Sequence, residues 1–267
     1  MKWIDVERAF SRALFGSFSK RKLALTFPVL VACGLLIVFC RAVAFQASEW
    51  VSMSLSFLPM LLSAGLLLAL GVVLVRMHLS EARGGMSMQR LLVGSMDLVV
   101  GTAYLSIPSI VIYLFLWMAL GFFFLLKELP GVGGFFSVVF SFGPFLLIFG
   151  SLLLCFLNLG VLFFIAPIAA QQPFRGISRV KKLLSSLRVA PLAGMALFLL
   201  ALLPIGVILS FLVLAAHLTD LSYLTADGSL ALALEWFFIM IPFCAILTPA
   251  VILFFNFAAE VSQLERA

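Results

Sequence analysis

Charges punctuate the chain at wide intervals and leave long apolar runs between them. Leu23 to Cys40 lies between Lys22 and Arg41, Trp50 to Val75 ends at Arg76, and Leu98 to Leu126 lies between Asp97 and Lys127. Val189 to Thr219 lies between Arg188 and Asp220, and the last run is Trp236 to Ala259. A helix that crosses the hydrocarbon core needs about 20 such residues, so each run predicts one crossing. Leu129 to Phe174 holds 46 residues without a charge, far more than one crossing needs at about 1.5 Å per helical residue. Gly131, Gly133, Gly134, Gly143 and Pro144 interrupt its first part, and Phe135 to Phe142 is too short to cross, which places a single span near 145–167. The aromatic segment before it is expected at the outer interface or as the extension of a tilted helix. The pattern predicts an all-α polytopic membrane protein with spans at about 23–40, 50–75, 98–126, 145–167, 190–218 and 236–259. A lead-in over 1–22 precedes this 23–259 domain and a tail over 260–267 follows it.

Sidedness follows from the basic residues, which accumulate in cytoplasmic segments. The lead-in carries Lys2, Arg8, Arg12, Lys20, Arg21 and Lys22, the loop after span two Arg76, Arg83 and Arg90, and the loop after span four Arg175, Arg179, Lys181, Lys182 and Arg188. With Arg266, fifteen of the 17 basic residues fall inside, and only Arg41 and Lys127 fall outside. The outer loops hold Glu49, Glu128, Asp220, Asp227 and Glu235 instead. A seven-span arrangement would export the loop after span four and destroy this asymmetry. Six spans with both termini cytoplasmic are therefore expected, in the cytoplasmic (inner) membrane of a bacterium. Trp50, Trp117 and Trp236 fall near the outer interface and Trp3 near the inner one, where indoles prefer to sit. Ala42-Val43-Ala44 after the first span has the small-residue pattern that precedes signal-peptide cleavage, but the apolar run and its basic leader are both longer than a signal peptide needs, so an uncleaved helix is expected.

Composition agrees with the pattern. Of 267 residues 64% are hydrophobic and 10% charged, and the mean hydropathy is +1.27; a soluble domain holds roughly half apolar and a quarter charged residues and needs the latter to face water. The net charge of +6 is concentrated at one membrane face and does not point to nucleic acid. Cys33, Cys40, Cys155 and Cys244 all lie within spans without Cys-x-x-Cys spacing, and read as small packing residues.

A short pattern recurs before spans one, three and five: Arg12-Ala-Leu-Phe-Gly-Ser17, Arg90-Leu-Leu-Val-Gly-Ser95 and Lys181-Lys-Leu-Leu-Ser-Ser186. Gly85 and Ser87 match Gly176 and Ser178 in register. The chain thus parses as three helical hairpins, each with an amphipathic cytoplasmic lead-in; shared composition of basic interfacial segments is the other explanation. Phe163-Phe-Ile-Ala-Pro167 closing span four, a polar turn, Gly176 and a basic segment ending in Ser186 resemble the six-helix membrane domain attached to bacterial glycerophosphodiester phosphodiesterases, and its stand-alone relatives. The resemblance covers about 152–209 and implies fold and location only. The soluble barrel and the acidic metal ligands of the attached enzymes are absent, so it implies no activity.

Candidate chemistry is sparse. His78 with Glu81 and His217 with Asp220 are each spaced i, i+3, but the topology puts them at opposite faces, where they read as interfacial polar residues rather than one metal site. Asn158 and Asn256 are the deeply placed amides; an interhelical hydrogen bond is the expected role of each, with solute contact as the alternative. No serine stands with a base as a nucleophile would require, since Ser178 lies in a basic loop. Pro28, Pro59, Pro108, Pro204, Pro242 and Pro249 fall inside spans, and packing kinks are expected of them before a transport site. No catalytic residue, cofactor or metal is expected.

The strongest amphipathic segment is 175–188. At about 100° per residue Ile177, Val180, Leu183, Leu184 and Leu187 share an arc of about 120°, with Arg175, Arg179, Lys181, Lys182 and Arg188 outside it as candidate ligands of lipid headgroups. The function expected is that of a non-enzymatic membrane accessory or scaffold whose basic cytoplasmic face contacts anionic lipid or a protein partner, a second copy included. A transporter or channel component for a small, weakly polar or lipid-like solute is the alternative.

Overall fold

A computed structural model of the chain describes residues 3–44, 47, 49–82, 107–127, 142–171, 191–218 and 229–264. Arg175, Arg179, Lys181, Lys182 and Arg188, the second and third copies of the lead-in pattern, and the segment 129–141 lie outside the described residues, as do the side chains of Trp3, Trp50 and His217. All regular structure among the described residues is helical: α1 Trp3–Ser17, α2 Lys20–Val43, α3 Glu49–Leu55, α4 Leu58–Ala82, α5 Ile107–Lys127, α6 Gly143–Gln171, α7 Pro191–Leu218 and α8 Ser229–Leu264. Five stretches are long and apolar enough to cross a membrane: α2, Val51–Glu81 across α3 and α4, α6, and most of α7 and α8; Ile107–Phe122 in α5 is a shorter apolar helix. Large hydrophobic side chains lie open on the outside, among them Val111, Phe115 and Phe122 of α5 and Leu203, Phe211 and Leu214 of α7. A water-facing protein does not carry continuous apolar surface on this scale; a multi-pass membrane protein presents it to lipid.

The chain packs as neighbouring pairs: α2 on α4, α5 on α6, and α7 on α8. The most extensive seams, however, join α2 to α8 and α4 to α6. Burial along α2 follows one stripe, Lys22, Thr26, Leu30, Gly34 and Val38, the i±4 ridge that interlocks with a facing helix. Gly34 lets the ridge close on α8, because a Cβ there would stand 2.2 Å from Met240 Sδ. Cys244 Sγ and the Leu30 carbonyl oxygen are 3.5 Å apart along the same seam.

α8 is the hub. Its 36 residues extend about 54 Å at the helical rise, well beyond a hydrocarbon core of about 30 Å. From Ala250 to Val261 every residue is buried, as suits a helix stretch that is apolar all round but for Asn256 and Glu260. Phe163, Phe198 and Phe254 pack tilted and edge-on around it with centroids 5.4–6.5 Å apart.

Three sequence boundaries shift. The expected continuous span 50–75 is divided at Ser56–Phe57: Ser56 N donates to the Ser52 carbonyl at 3.2 Å, Ser56 Oγ bonds the same oxygen at 2.9 Å, and Pro59 falls in the first turn of α4, where its missing N–H is tolerated. α4 then runs past Arg76 to Ala82, because Arg76 Nε donates to the Ala170 carbonyl at the end of α6 at 3.0 Å and the charge need not leave the bundle. α6 likewise continues through Pro167 to Gln171, with Ala166, Ala169 and Ala170 buried.

The lead-in changes most. It is the helix α1, seated on the last turns of α8 through Val6, Ala9 and Ala13, with Phe10 edge-on to Phe257 at 5.6 Å. Glu260, assigned from sequence to a free tail, belongs to the core of α8. Both described ends of the chain thus meet at one end of the bundle. Arg41 lies at the other end, 5.1 Å over the Trp236 ring.

Candidate functional site

Where α1, α2, α4 and α8 converge, five ionisable side chains connect in series. Arg12 Nη2 of α1 lies 3.0 Å from Glu260 Oε2 of α8. Glu260 Oε1 is 2.9 Å from His78 Nε2 of α4. His78 Nδ1 is 3.4 Å from Lys22 Nζ of α2, and Lys22 Nζ reaches Glu81 Oε2 at 2.8 Å and the Gly16 carbonyl at 3.4 Å. The middle of the series is withdrawn from solvent: Lys22 is 0%, Glu260 6% and His78 9% exposed. Its two ends are open, the Arg12 side chain to 60% and that of Glu81 to 45%.

Local structure explains the convergence. A two-residue turn, Phe18–Ser19, folds α1 back so that Lys22, in the first turn of α2, faces the carbonyl of Gly16. His78 and Glu81 lie one turn apart on α4 and meet the same ammonium group from one side. Gly16 eases the fit: a Cβ there would stand 3.2 Å from both His78 Nδ1 and Asn256 Nδ2, which would have to shift by a few tenths of an ångström. Asn256, one turn before Glu260, is fully buried and donates to the Ala13 carbonyl at 3.3 Å. It therefore ties α8 to α1, and its Oδ1 has no hydrogen-bond partner among the described residues.

An isolated charge in so apolar a setting would be expensive, whereas alternating cations and anions neutralise one another in place. With two cations, two carboxylates and one imidazole the layer can hold helices in register and take up or release a proton. Among the described residues no three His, Cys, Asp or Glu side chains cluster as metal ligands.

The other intramembrane candidate lies apart. Asn158 of α6 is buried and accepts from Ser109 Oγ of α5 at 2.8 Å; its Nδ2 has no partner among the described residues. Tyr113 OH, one turn further along α5, donates to the Ser54 carbonyl of α3 at 3.1 Å. These contacts join α3, α5 and α6 through polar groups.

Sequence reasoning singled out His78, Glu81 and Asn256 but took the first two for an isolated interfacial pair. It counted Arg12 and Lys22 as determinants of topology only and Glu260 as tail. The overlooked signal was positional: Asn256 and Glu260, four residues apart, continue one face of span six, and Lys22 and Thr26 continue one face of span one. Compared with known proteins, the chain matches no protein family, no curated protein and no solved structure, so the functional reading rests on its own residues.

Proposed function

We propose that the protein is a non-enzymatic accessory or scaffold of the bacterial cytoplasmic membrane, with both termini cytoplasmic and a basic cytoplasmic face that holds anionic lipid. The observation that carries this reading is the outer face of α1. Opposite the face buried on α8, Ile4, Phe15 and Phe18 are exposed alongside Arg8, and Lys20 and Arg21 follow just beyond the turn. A helix with bulky apolar and basic side chains on one outward surface suits the headgroup boundary, apolar groups inward and cations toward phosphate. Each cation near an anionic leaflet contributes on the order of 1 kcal/mol. The segment 175–188 would extend the same basic face. The transport alternative needs Asn158 to line a solute path, and its burial against Ser109 favours a packing role instead.

The test is the joint substitution Arg8→Gln, Lys20→Gln and Arg21→Gln, none of which touches the buried layer. Mass spectrometry of co-purified lipid should show loss of anionic lipid, and the gain in melting temperature in anionic over neutral nanodiscs should shrink. An unchanged lipid profile with unchanged stability in both would overturn the proposal.

A further inference from the structure

The hydrogen-bond inventory around Lys22 determines the protonation state of its neighbour. An ammonium group has three protons and no acceptor. Lys22 Nζ has three partners, Glu81 Oε2 at 2.8 Å, the Gly16 carbonyl at 3.4 Å and His78 Nδ1 at 3.4 Å. With Lys22 charged, His78 Nδ1 accepts in this pair and is assigned as the unprotonated nitrogen. The ring is neutral, with its proton on Nε2, donated to Glu260 Oε1 at 2.9 Å. In this state the layer balances: Arg12 and Lys22 against Glu81 and Glu260.

We propose that His78 is a proton-operated latch for α1, holding the helix on the bundle while neutral and releasing it when protonated. This rests on reading α1 as the membrane-facing element; the latch is what would regulate it. A second proton on His78 can only go to Nδ1, directly against the Lys22 ammonium. Lys22 has no exposed surface across which to share the repulsion with water, so it must withdraw from His78 and with it from the Gly16 carbonyl that anchors the end of α1. The imidazolium meanwhile competes with Arg12 for Glu260, and Arg12, already largely exposed, passes to solvent. Both polar ties of α1 that involve charge thus depend on one neutral ring.

Among the described residues the groups that face His78 are Lys22 from α2, Glu260 from α8 with Arg12 of α1 behind it, and Glu81 on its own helix. α6, packed along α4, carries no Asp, Glu, Lys, Arg or His, and Arg76 is engaged with the Ala170 carbonyl. Histidine is the side chain whose charge ordinarily changes between about pH 5 and 8. Docking therefore holds while the ring carries one proton and is lost when it takes a second.

The test uses the full-length chain with its four cysteines replaced by serine or alanine, in nanodiscs of neutral lipid, spin-labelled at Ser11→Cys on α1 and Met195→Cys on α7. Pulsed electron paramagnetic resonance should give one narrow distance at pH 8 and a broad, longer distribution at pH 5. His78→Gln, which can offer an oxygen to Lys22 and an amide proton to Glu260 but binds no proton, should stay narrow at both. A wild-type distance unchanged from pH 8 to pH 5, or a His78→Gln variant that broadens as the wild type does, would overturn the latch. Because no anionic lipid is present, the result is separate from the lipid test: release on acidification together with an unchanged lipid profile in the Arg8/Lys20/Arg21 variant would leave the latch standing and remove the lipid reading. A fixed α1 with loss of lipid would do the reverse.

Discussion

At the scale of single residues one of the two closest fits is between α4 and α8 at Gly71. A Cβ there would lie 2.2 Å from Cε1 and 2.6 Å from Cδ1 of the Phe255 ring, a rigid group packed among other buried side chains. Gly71→Ala is expected to lower stability by about 1–3 kcal/mol through overpacking, read as a lower melting temperature in detergent. Gly206→Ala is the control, since nothing lies within 4 Å of its Cβ position, and it should leave the melting temperature unchanged or slightly raised. Glu260 offers a second residue-level test. Glu260→Ala would strand the buried His78 Nε2–H and cost about 1–3 kcal/mol, whereas Glu260→Gln keeps an acceptor for it and should cost clearly less. Equal losses in the two variants would show that the charge of Glu260, rather than its oxygen, is what His78 needs.

At the scale of elements, α1 is held by small residues that allow close approach. Ala9 and Ala13 are fully buried against α8, so Ala13→Leu has no room and should lift the helix from its seat. Hydrogen exchange followed by mass spectrometry should then show faster exchange across 3–17 and little change in α6. Protection of α1 equal to wild type would mean that the polar ties alone hold it. The α3/α4 break shows a different balance. Ser56, whose Oγ bonds the Ser52 carbonyl, and Pro59 three residues on mark the break and stand in the sequence, yet hydropathy averaged over a span does not register them. Serine hydroxyls that bond the local backbone compete with regular helix, and here the competition is resolved in favour of a turn.

At the scale of the whole molecule, the meeting of α1 with the end of α8 places both described ends of the chain together, and the orientation proposed above puts that end in the cytoplasm. In a cysteine-free background, Ser178→Cys and Ser229→Cys should react with an impermeant thiol reagent from opposite sides of the membrane. Reaction of both from outside would exclude the proposed orientation.

Which stretches are apolar enough for the membrane was determined by the sequence alone, because transfer into hydrocarbon is nearly a sum over about 20 successive residues. The stretches around 23–40, 145–167 and 236–259 lie inside helices of the structure, as does 190–218 from Pro191 on. What those helices do with the charges at their ends was decided only by the tertiary structure. His78 and Glu260 are 182 residues apart and Lys22 and His78 56 apart; their pairing depends on the rotation and register of four helices, set by contacts such as Gly34 with Met240 and Gly71 with Phe255. Read along the chain, Lys22 is one of six basic residues in a leader and Glu260 begins a polar tail. Packing turns both inward, where a charge persists only opposite another, and so converts marks of topology into a buried, balanced layer.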